Sequence, residues 1–311
     1  METVHQRDRD EARQLLLAMR VSFAFGIAFL LIKGGGAWYT GSVALLGDAA
    51  ESVVHVFAVG FALFSLHLSL KPADRSHPYG HAKIGFFSSG FEGAMILMAG
   101  LFVSMEAIRD MTGDGPRIEA PLVALWLTVG IVLATGGLGW YLLHTARRRR
   151  SIVLEANGHH VLTDCYTSLG VLVGLLLTWL SGWAYWDPIC ALVVAANMLR
   201  CGLRLMRRSF NGLMDTADPA MDDQLQESMQ RETSSRGVKY HALRHRDLGD
   251  SHWVDVHLLF PPGVTLRDAH EVATEIERAV AGSLEVPVQL TTHLESIEDH
   301  DRLHGSPVGD G

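Results

Sequence analysis

Glu155-Ala156-Asn157-Gly158-His159-His160-Val161-Leu162-Thr163-Asp164 runs without a break into an apolar stretch from Cys165 to Leu180. His160 and Asp164 are four residues apart, so on a helix they stand one turn above the other on a single face, within reach of one cation. An ionised group at the centre of a bilayer costs roughly 2.5–3.5 kcal/mol or more, so an imidazole and a carboxylate in such a segment need a task that repays the cost. Leu45-Leu46-Gly47-Asp48-Ala49-Ala50-Glu51-Ser52-Val53-Val54-His55 repeats the arrangement, with Glu51 and His55 again four apart in a long apolar helix. Two such helices laid face to face offer two nitrogens and two carboxylates, a tetrahedral set of the kind zinc takes.

The surroundings are those of a membrane protein with a polar piece attached. Of 311 residues 48% are hydrophobic and 19% charged, and mean hydropathy is positive. Six stretches are long enough to span a bilayer, near 14–38, 42–69, 84–108, 120–144, 156–180 and 187–206. Trp38-Tyr39-Thr40-Gly41-Ser42 reads as an interfacial turn between the first two. Basic residues favour alternate connections: Lys71, Arg75 and Lys83 after the second span, Arg147 to Arg150 after the fourth, and Arg204, Arg207 and Arg208 at the exit of the sixth. The other connections carry only Arg109 and Arg117 among acids, or no basic residue, which predicts that both termini are cytoplasmic.

The stretch Met1 to Gln14 is charged and lacks the order of a signal peptide, so the first span is expected to direct insertion. Cys165, Cys190 and Cys201 lie in apolar segments with no close Cys-x-x-Cys pair, which argues against a disulfide framework and a thiolate zinc knuckle. The net charge of -8 leaves no nucleic-acid footprint. The expected organisation is a cytoplasmic N-terminal segment 1–13, a six-helix transmembrane domain 14–210, a linker 211–217, a cytoplasmic domain 218–296 and a disordered tail 297–311.

From Asp218 the apolar runs shorten and alternate. Asp218 to Arg231 predicts a helix, Val238 to Arg246 and Trp253 to Phe260 strands, Leu266 to Ala281 a helix and Val286 to His293 a strand. This α-β-β-α-β order describes a small α+β domain of ferredoxin-like, metallochaperone-like form, an open sheet with two helices on one face.

Two further histidine clusters stand out. In Lys71-Pro72-Ala73-Asp74-Arg75-Ser76-His77-Pro78-Tyr79-Gly80-His81-Ala82-Lys83, the residues Asp74, His77 and His81 are placed to close on one metal; by themselves they read equally as a polar loop at headgroup level. The polar domain carries His241, His245, His252, His257, His270 and His293, with Glu295 two residues after the last and so on the same side of a strand. Six histidines on adjoining elements favour metal binding over scattered surface positions. Glu92, in the third span, reads as structural, packed against a basic partner, or as lining the pathway; the structural reading is preferred, because no second ligand lies three or four residues away. His159 points about 100° from His160 and reads as an interface or supporting group.

Taken together these segments resemble a cation diffusion facilitator, the family of metal/proton antiporters. The resemblance rests on Trp38 to Ser42, Leu45 to Ala50, His77-Pro78-Tyr79-Gly80-His81-Ala82-Lys83, Ala156-Asn157 followed by His160, Asp164 and Ser168, Asp187-Pro188, and Leu213-Met214-Asp215. It implies a transport site at Glu51, His55, His160 and Asp164, a loop site at Asp74, His77 and His81, and cytoplasmic ligands at His241, His257, His270, His293 and Glu295. It also implies a coupling pair, Lys83 and Asp215, and a homodimer. The second-span pair departs from the family's usual two aspartates or histidine-then-aspartate, Gly85 stands where many members carry glutamate, and Glu295 replaces a frequent aspartate.

The expected activity is efflux of a divalent transition metal in exchange for protons across a bacterial inner membrane, with zinc as both substrate and regulator and no organic cofactor. Two imidazoles and two carboxylates suit zinc and accept cadmium, cobalt or nickel; iron(II) and manganese(II) bind such a site more weakly, yet availability in the cell can override that order, so iron(II), manganese(II), cobalt or cadmium as main cargo is the alternative reading. A membrane metalloenzyme, a metal sensor without transport and a simple channel are the rival classes. The first lacks a His-Glu-x-x-His motif, and the second has only the altered second-span pair in its favour.

Overall fold

The structure, a computed structural model, describes residues 2–40, 43–112, 122–183 and 185–298. Six long helices come first: α1 (Glu2–Thr40), α2 (Val43–Ser69), α3 (Ile84–Thr112), α4 (Leu122–Arg149), α5 (Ile152–Ser181) and α6 (Trp186–Leu213). They are followed by α7 (Pro219–Ser234), β1 (Lys239–Asp247), β2 (His252–Phe260), α8 (Leu266–Ser283) and β3 (Val288–Ser296). The chain divides into two compact units, Met1–Phe210 and Asn211–Gly311.

The helical unit reverses the polarity of a water-soluble bundle. Large apolar side chains point outward, among them Phe57 at 75% exposed and Leu133 at 71%, while Glu92 and Asn157 are fully buried. That is the arrangement of a helix bundle whose solvent is lipid. Among the described residues three helical segments are long and apolar enough to cross a membrane, Ala12–Ile32, Ile84–Arg109 and Pro188–Leu213. The remaining expected spans fall on α2, α4 and α5.

Several boundaries differ from the sequence reading: α4 runs to Arg149 and α6 to Leu213, past the expected ends at 144 and 206, and α6 enters the expected linker 211–217. The first helix starts at Glu2, since residues 2–13 contain neither proline nor glycine to stop it. It also continues through Trp38, Tyr39 and Thr40, where a turn was expected; Gly41 and Ser42 lie outside the described residues. So do the connection holding Arg117 and the tail from residue 299.

Close packing in this unit depends on glycine. A Cβ on Gly202 of α6 would lie 2.8 Å from the Gly93 carbonyl oxygen of α3 and 2.7 Å from Leu97 Cγ. A Cβ on Gly139 of α4 would lie 2.7 Å from Leu162 of α5. Small residues at such crossings let backbones approach where no hydrophobic effect drives helices together. Asn157 adds a polar tie, its Nδ2 donating to Ser22 Oγ of α1 at 2.8 Å.

After α6, Asp215 takes a left-handed φ of +52° and the Thr216 N–H reaches back to the Asn211 carbonyl at 2.9 Å, which ends the helix. Pro219 at the first turn and Asp218 as cap, accepting from the Ala220 N–H at 3.0 Å, start α7. Thr265 caps α8 by accepting from the Asp268 N–H at 3.2 Å. The three strands lie in the order β1-β2-β3, with β1 antiparallel and β3 parallel to β2. Val254, Val256, Leu258 and Phe260 alternate onto one face and form a core with Met221, Leu225 and Met229 of α7 and Ala273, Ile276 and Val280 of α8.

One irregularity in β1 matters for the site. The pairing His241↔His257 steps to Arg244↔Asp255, so one extra residue is taken up at Ala242–Leu243, where Ala242 has φ +52°. In a regular strand His241 and His245 would share a face; the bulge puts them on opposite faces. His241 joins His257 on the open side, and His245 pairs with Val254 on the helix side, 3.7 Å from Asp222.

The Gly202 contact is open to test. Gly202→Val should destabilise the protein by about 1–3 kcal/mol through overpacking, read as a lower melting temperature in detergent. Gly137→Ala, whose Cβ meets nothing within 4 Å, should leave melting nearly unchanged.

Candidate functional site

Among the described residues, three groups of three side chains present ligand atoms within 4.8 Å of one another: His55, His160 and Asp164; Asp74, His77 and His81; and His241, His257 and Glu295.

The first group joins α2 to α5 inside the helical unit. Helical spacing stacks His160 and Asp164, and His55 enters from the facing helix. His55 Nδ1 lies 2.8 Å from His160 Nε2 and 3.7 Å from Asp164 Oδ2. Two imidazole nitrogens facing each other at this distance share a single proton, and a cation accepted by both lone pairs would take that proton's place. Glu51 was expected to complete the set; its side chain lies outside the described ones. The opposite edge of His160 meets a residue that the sequence reading did not connect to it, since its Nδ1 is 3.4 Å from Glu92 Oε2 on α3. Contact across helices leaves no spacing signal along either one. The presence of an acid inside an apolar span was the available clue.

The second group lies in the connection between α2 and α3, which Pro72, Pro78 and Gly80 (φ +85°) keep out of helix. Asp74 Oδ1 accepts from the Ser76 N–H at 2.8 Å, the Ser76 hydroxyl at 2.7 Å and the His77 N–H at 2.8 Å. These bonds, the Ser76 hydroxyl first and the His77 amide next, bring the Asp74 carboxyl down to about 2. The second oxygen, Oδ2, remains directed at His81 Nε2, 3.6 Å away. The loop therefore commits one carboxylate oxygen to its own shape and turns the other towards His81. Ser76 is the residue that does this, and the sequence reading did not single it out.

The third group sits on the open face of the sheet. Register aligns His241, His257 and His293 across the three strands, and Glu295 follows two residues after His293. His241 Nε2 donates to Glu295 Oε2 at 2.9 Å, while His257 Nδ1 lies 2.8 Å and His293 Nε2 3.6 Å from Oε1. His293 stands at the rim, 65% exposed, and Glu295 at the centre, 7% exposed. His270, expected with this set, is exposed on α8 and is not part of the constellation. Lys83 belongs to the first unit and Asp215 to the second.

Burial works against the charge on Glu295, but the His241 hydrogen bond and the neighbouring His257 hold its carboxyl below the usual range. Burial likewise pushes His257 down, with Glu295 pulling the other way. Each group thus binds a proton more readily in the unfolded chain than in the folded one.

Two family profiles match the chain. One, described as the cation efflux transmembrane domain, covers residues 19–214, and the other, the cation efflux protein cytoplasmic domain, covers 221–297. An uncharacterized transporter of Synechocystis sp. is 34% identical, over 90% of this chain and 89% of its own length. Metal tolerance protein C1 of Arabidopsis thaliana is 29% identical over 96% of this chain and 67% of its own length. The cation-efflux pump FieF of Escherichia fergusonii is 31% identical over 83% of this chain and 85% of its own.

The proton preferences of Glu295 and His257 fix a pH dependence for the metal-free protein. The contribution of these two groups to stability falls as pH drops below 6.5, where the unfolded His257 gains its proton first, and falls again below about 4.5, where the unfolded Glu295 does. Glu295→Gln should be less stable than wild type at pH 7, and the gap should close as pH falls through the carboxylate range. Thermal melting of chelator-treated protein between pH 7.5 and 4 measures both.

Proposed function

The chain belongs to the cation efflux family, the cation diffusion facilitators, and from that premise we propose that it exports a divalent transition metal, zinc foremost, from the cytosol in exchange for protons. Members are multi-pass membrane transporters rather than enzymes, which sets aside the metalloenzyme reading. We place this chain in a bacterial inner membrane with both termini cytoplasmic, as a homodimer. The observation that carries the proposal is the meeting of His55, His160 and Asp164 between two helices of a lipid-facing bundle.

Charge and protonation supply the mechanism. In the inward-open arrangement an ion that has shed its water enters between His55 Nδ1 and His160 Nε2, with Asp164 and Glu51 as the carboxylate ligands. Only neutral imidazole is a ligand, so binding releases protons. On the far side protons compete for the same nitrogens and carboxylates and eject the ion. A mixed nitrogen and oxygen set favours zinc and accepts cobalt and cadmium ahead of manganese or iron(II). The relatives' names, a cation-efflux pump and a metal tolerance protein, accord with metal cargo.

The loop group and the sheet group act as further binding sites on the cytosolic side. Metal held by His241, His257 and Glu295, with His293 at the rim, would bias the two protomers of the dimer and so tie transport to cytosolic supply. Lys83 and Asp215 are proposed as the pair that couples the two units.

Uptake into inside-out proteoliposomes under an imposed proton gradient tests the reading, with zinc, cobalt, cadmium, manganese and iron(II) compared. Zinc flux should follow the gradient and fall by about tenfold or more in Asp164→Ala and His160→Ala, since even the outer partners of metal ligands are worth about 10–100-fold. Flux of manganese or iron(II) without zinc would keep antiport and reject zinc as cargo. Flux indifferent to the gradient would indicate a channel, and no flux of any ion would favour a sensor.

A further inference from the structure

The metal site just proposed leaves one acidic group without a task. Glu92 of α3 is fully buried in the helical unit, and neither of its carboxylate oxygens has a hydrogen-bond partner among the described residues. A carboxylate is costly to keep in such surroundings unless something compensates it. Its Oε2 faces His160 Nδ1 at 3.4 Å, and that nitrogen, also buried, has no hydrogen-bond partner among the described residues. The contact is slightly long for a hydrogen bond, and a small rotation of the ring or the carboxylate closes it.

The two nitrogens of His160 thus have different neighbours. Nδ1 points at Glu92, and Nε2 points at His55 Nδ1, 2.8 Å away. The hydrogen bond made by one ring nitrogen decides whether the other is free to bind a metal. A carboxylate acceptor beside Nδ1 draws the N–H to that side and keeps the Nε2 lone pair aimed at the centre formed with His55 and Asp164. Glu92 itself falls outside that group of ligand atoms.

We infer that Glu92 is a positioning residue for the metal: acting through His160, it holds that imidazole in the tautomer and orientation that present Nε2 to the ion. The inference rests on the transport-site reading above. It brings a third helix, α3, into a site whose described ligands come from α2 and α5.

The test measures zinc flux against zinc concentration for full-length protein in proteoliposomes, and zinc binding to the same protein in detergent. Glu92→Met keeps an apolar side chain of similar length, and Glu92→Gln keeps an oxygen that accepts from Nδ1. The inference expects Glu92→Met to raise the zinc KM by about 10–100-fold with a smaller change in maximal flux, and Glu92→Gln to recover most of the loss. A KM in folded Glu92→Met within about twofold of wild type would mean that Glu92 only fills space, and would overturn it. So would loss of flux in both variants at every zinc concentration, matching Asp164→Ala, which would make Glu92 a direct ligand. If the wild-type protein binds zinc, and Asp164→Ala abolishes that binding, yet the wild type moves no metal, the efflux reading fails alone, and Glu92 is then judged on the same comparison of binding constants.

Discussion

A nitrogen-to-nitrogen contact of 2.8 Å between His55 and His160 is the constraint around which the helical unit is arranged. Two imidazoles, a carboxylate at Asp164 and a buried acid at Glu92 cannot be scattered through an apolar bundle, because each alone would be a polar group in an apolar protein or lipid environment without compensation. Gathered at one level they answer one another. The rest of the unit serves that gathering: Asn157 ties the turn of α5 before His160 to Ser22 of α1, and glycines at Gly93, Gly139 and Gly202 let the helices approach. The outward faces are left to aliphatic and aromatic side chains.

The cytoplasmic unit solves a related problem with water on one side. Its core occupies only one face of a three-stranded sheet, so the other face is free for polar side chains. His241, His257 and His293 fall in register there, and Glu295 holds them together from the centre. The open face carries the ligand-type side chains and the covered face the apolar core. His245, sent to the covered face, lies among core residues with Asp222 beside it and has its proton affinity lowered by burial.

Much of this was legible in the sequence, and the limits have physical causes. Four-residue spacing announced His160 with Asp164, because a helix turns those positions onto one face. Alternation announced the strands, and the α-β-β-α-β order followed. Contacts made across helices or strands were harder to read. Glu92 has no ligand-like neighbour along its own helix, so its approach to His160 had to be seen in space. Ser76 looks like any loop serine until its hydroxyl and amide are found on one oxygen of Asp74. His270 has the right residue type in a metal-rich domain, yet its helix leaves it exposed and apart from the group on the open face.

The bulge at Ala242–Leu243 shows why residue counting misleads in β1. By number, His241 and His245 are an even step apart and should be neighbours on one side; in space they lie on opposite faces of the sheet. The extra residue is absorbed locally, at the expense of one alanine in a left-handed conformation. Loss of one residue between His241 and Arg244 would restore a regular ladder while leaving His241 opposite His257 and His245 opposite Val254. In evolutionary terms this is a point where the strand can change length by one without exchanging its faces. Homologous strands that differ in length here must therefore be aligned by the partner strand, not by distance along the chain.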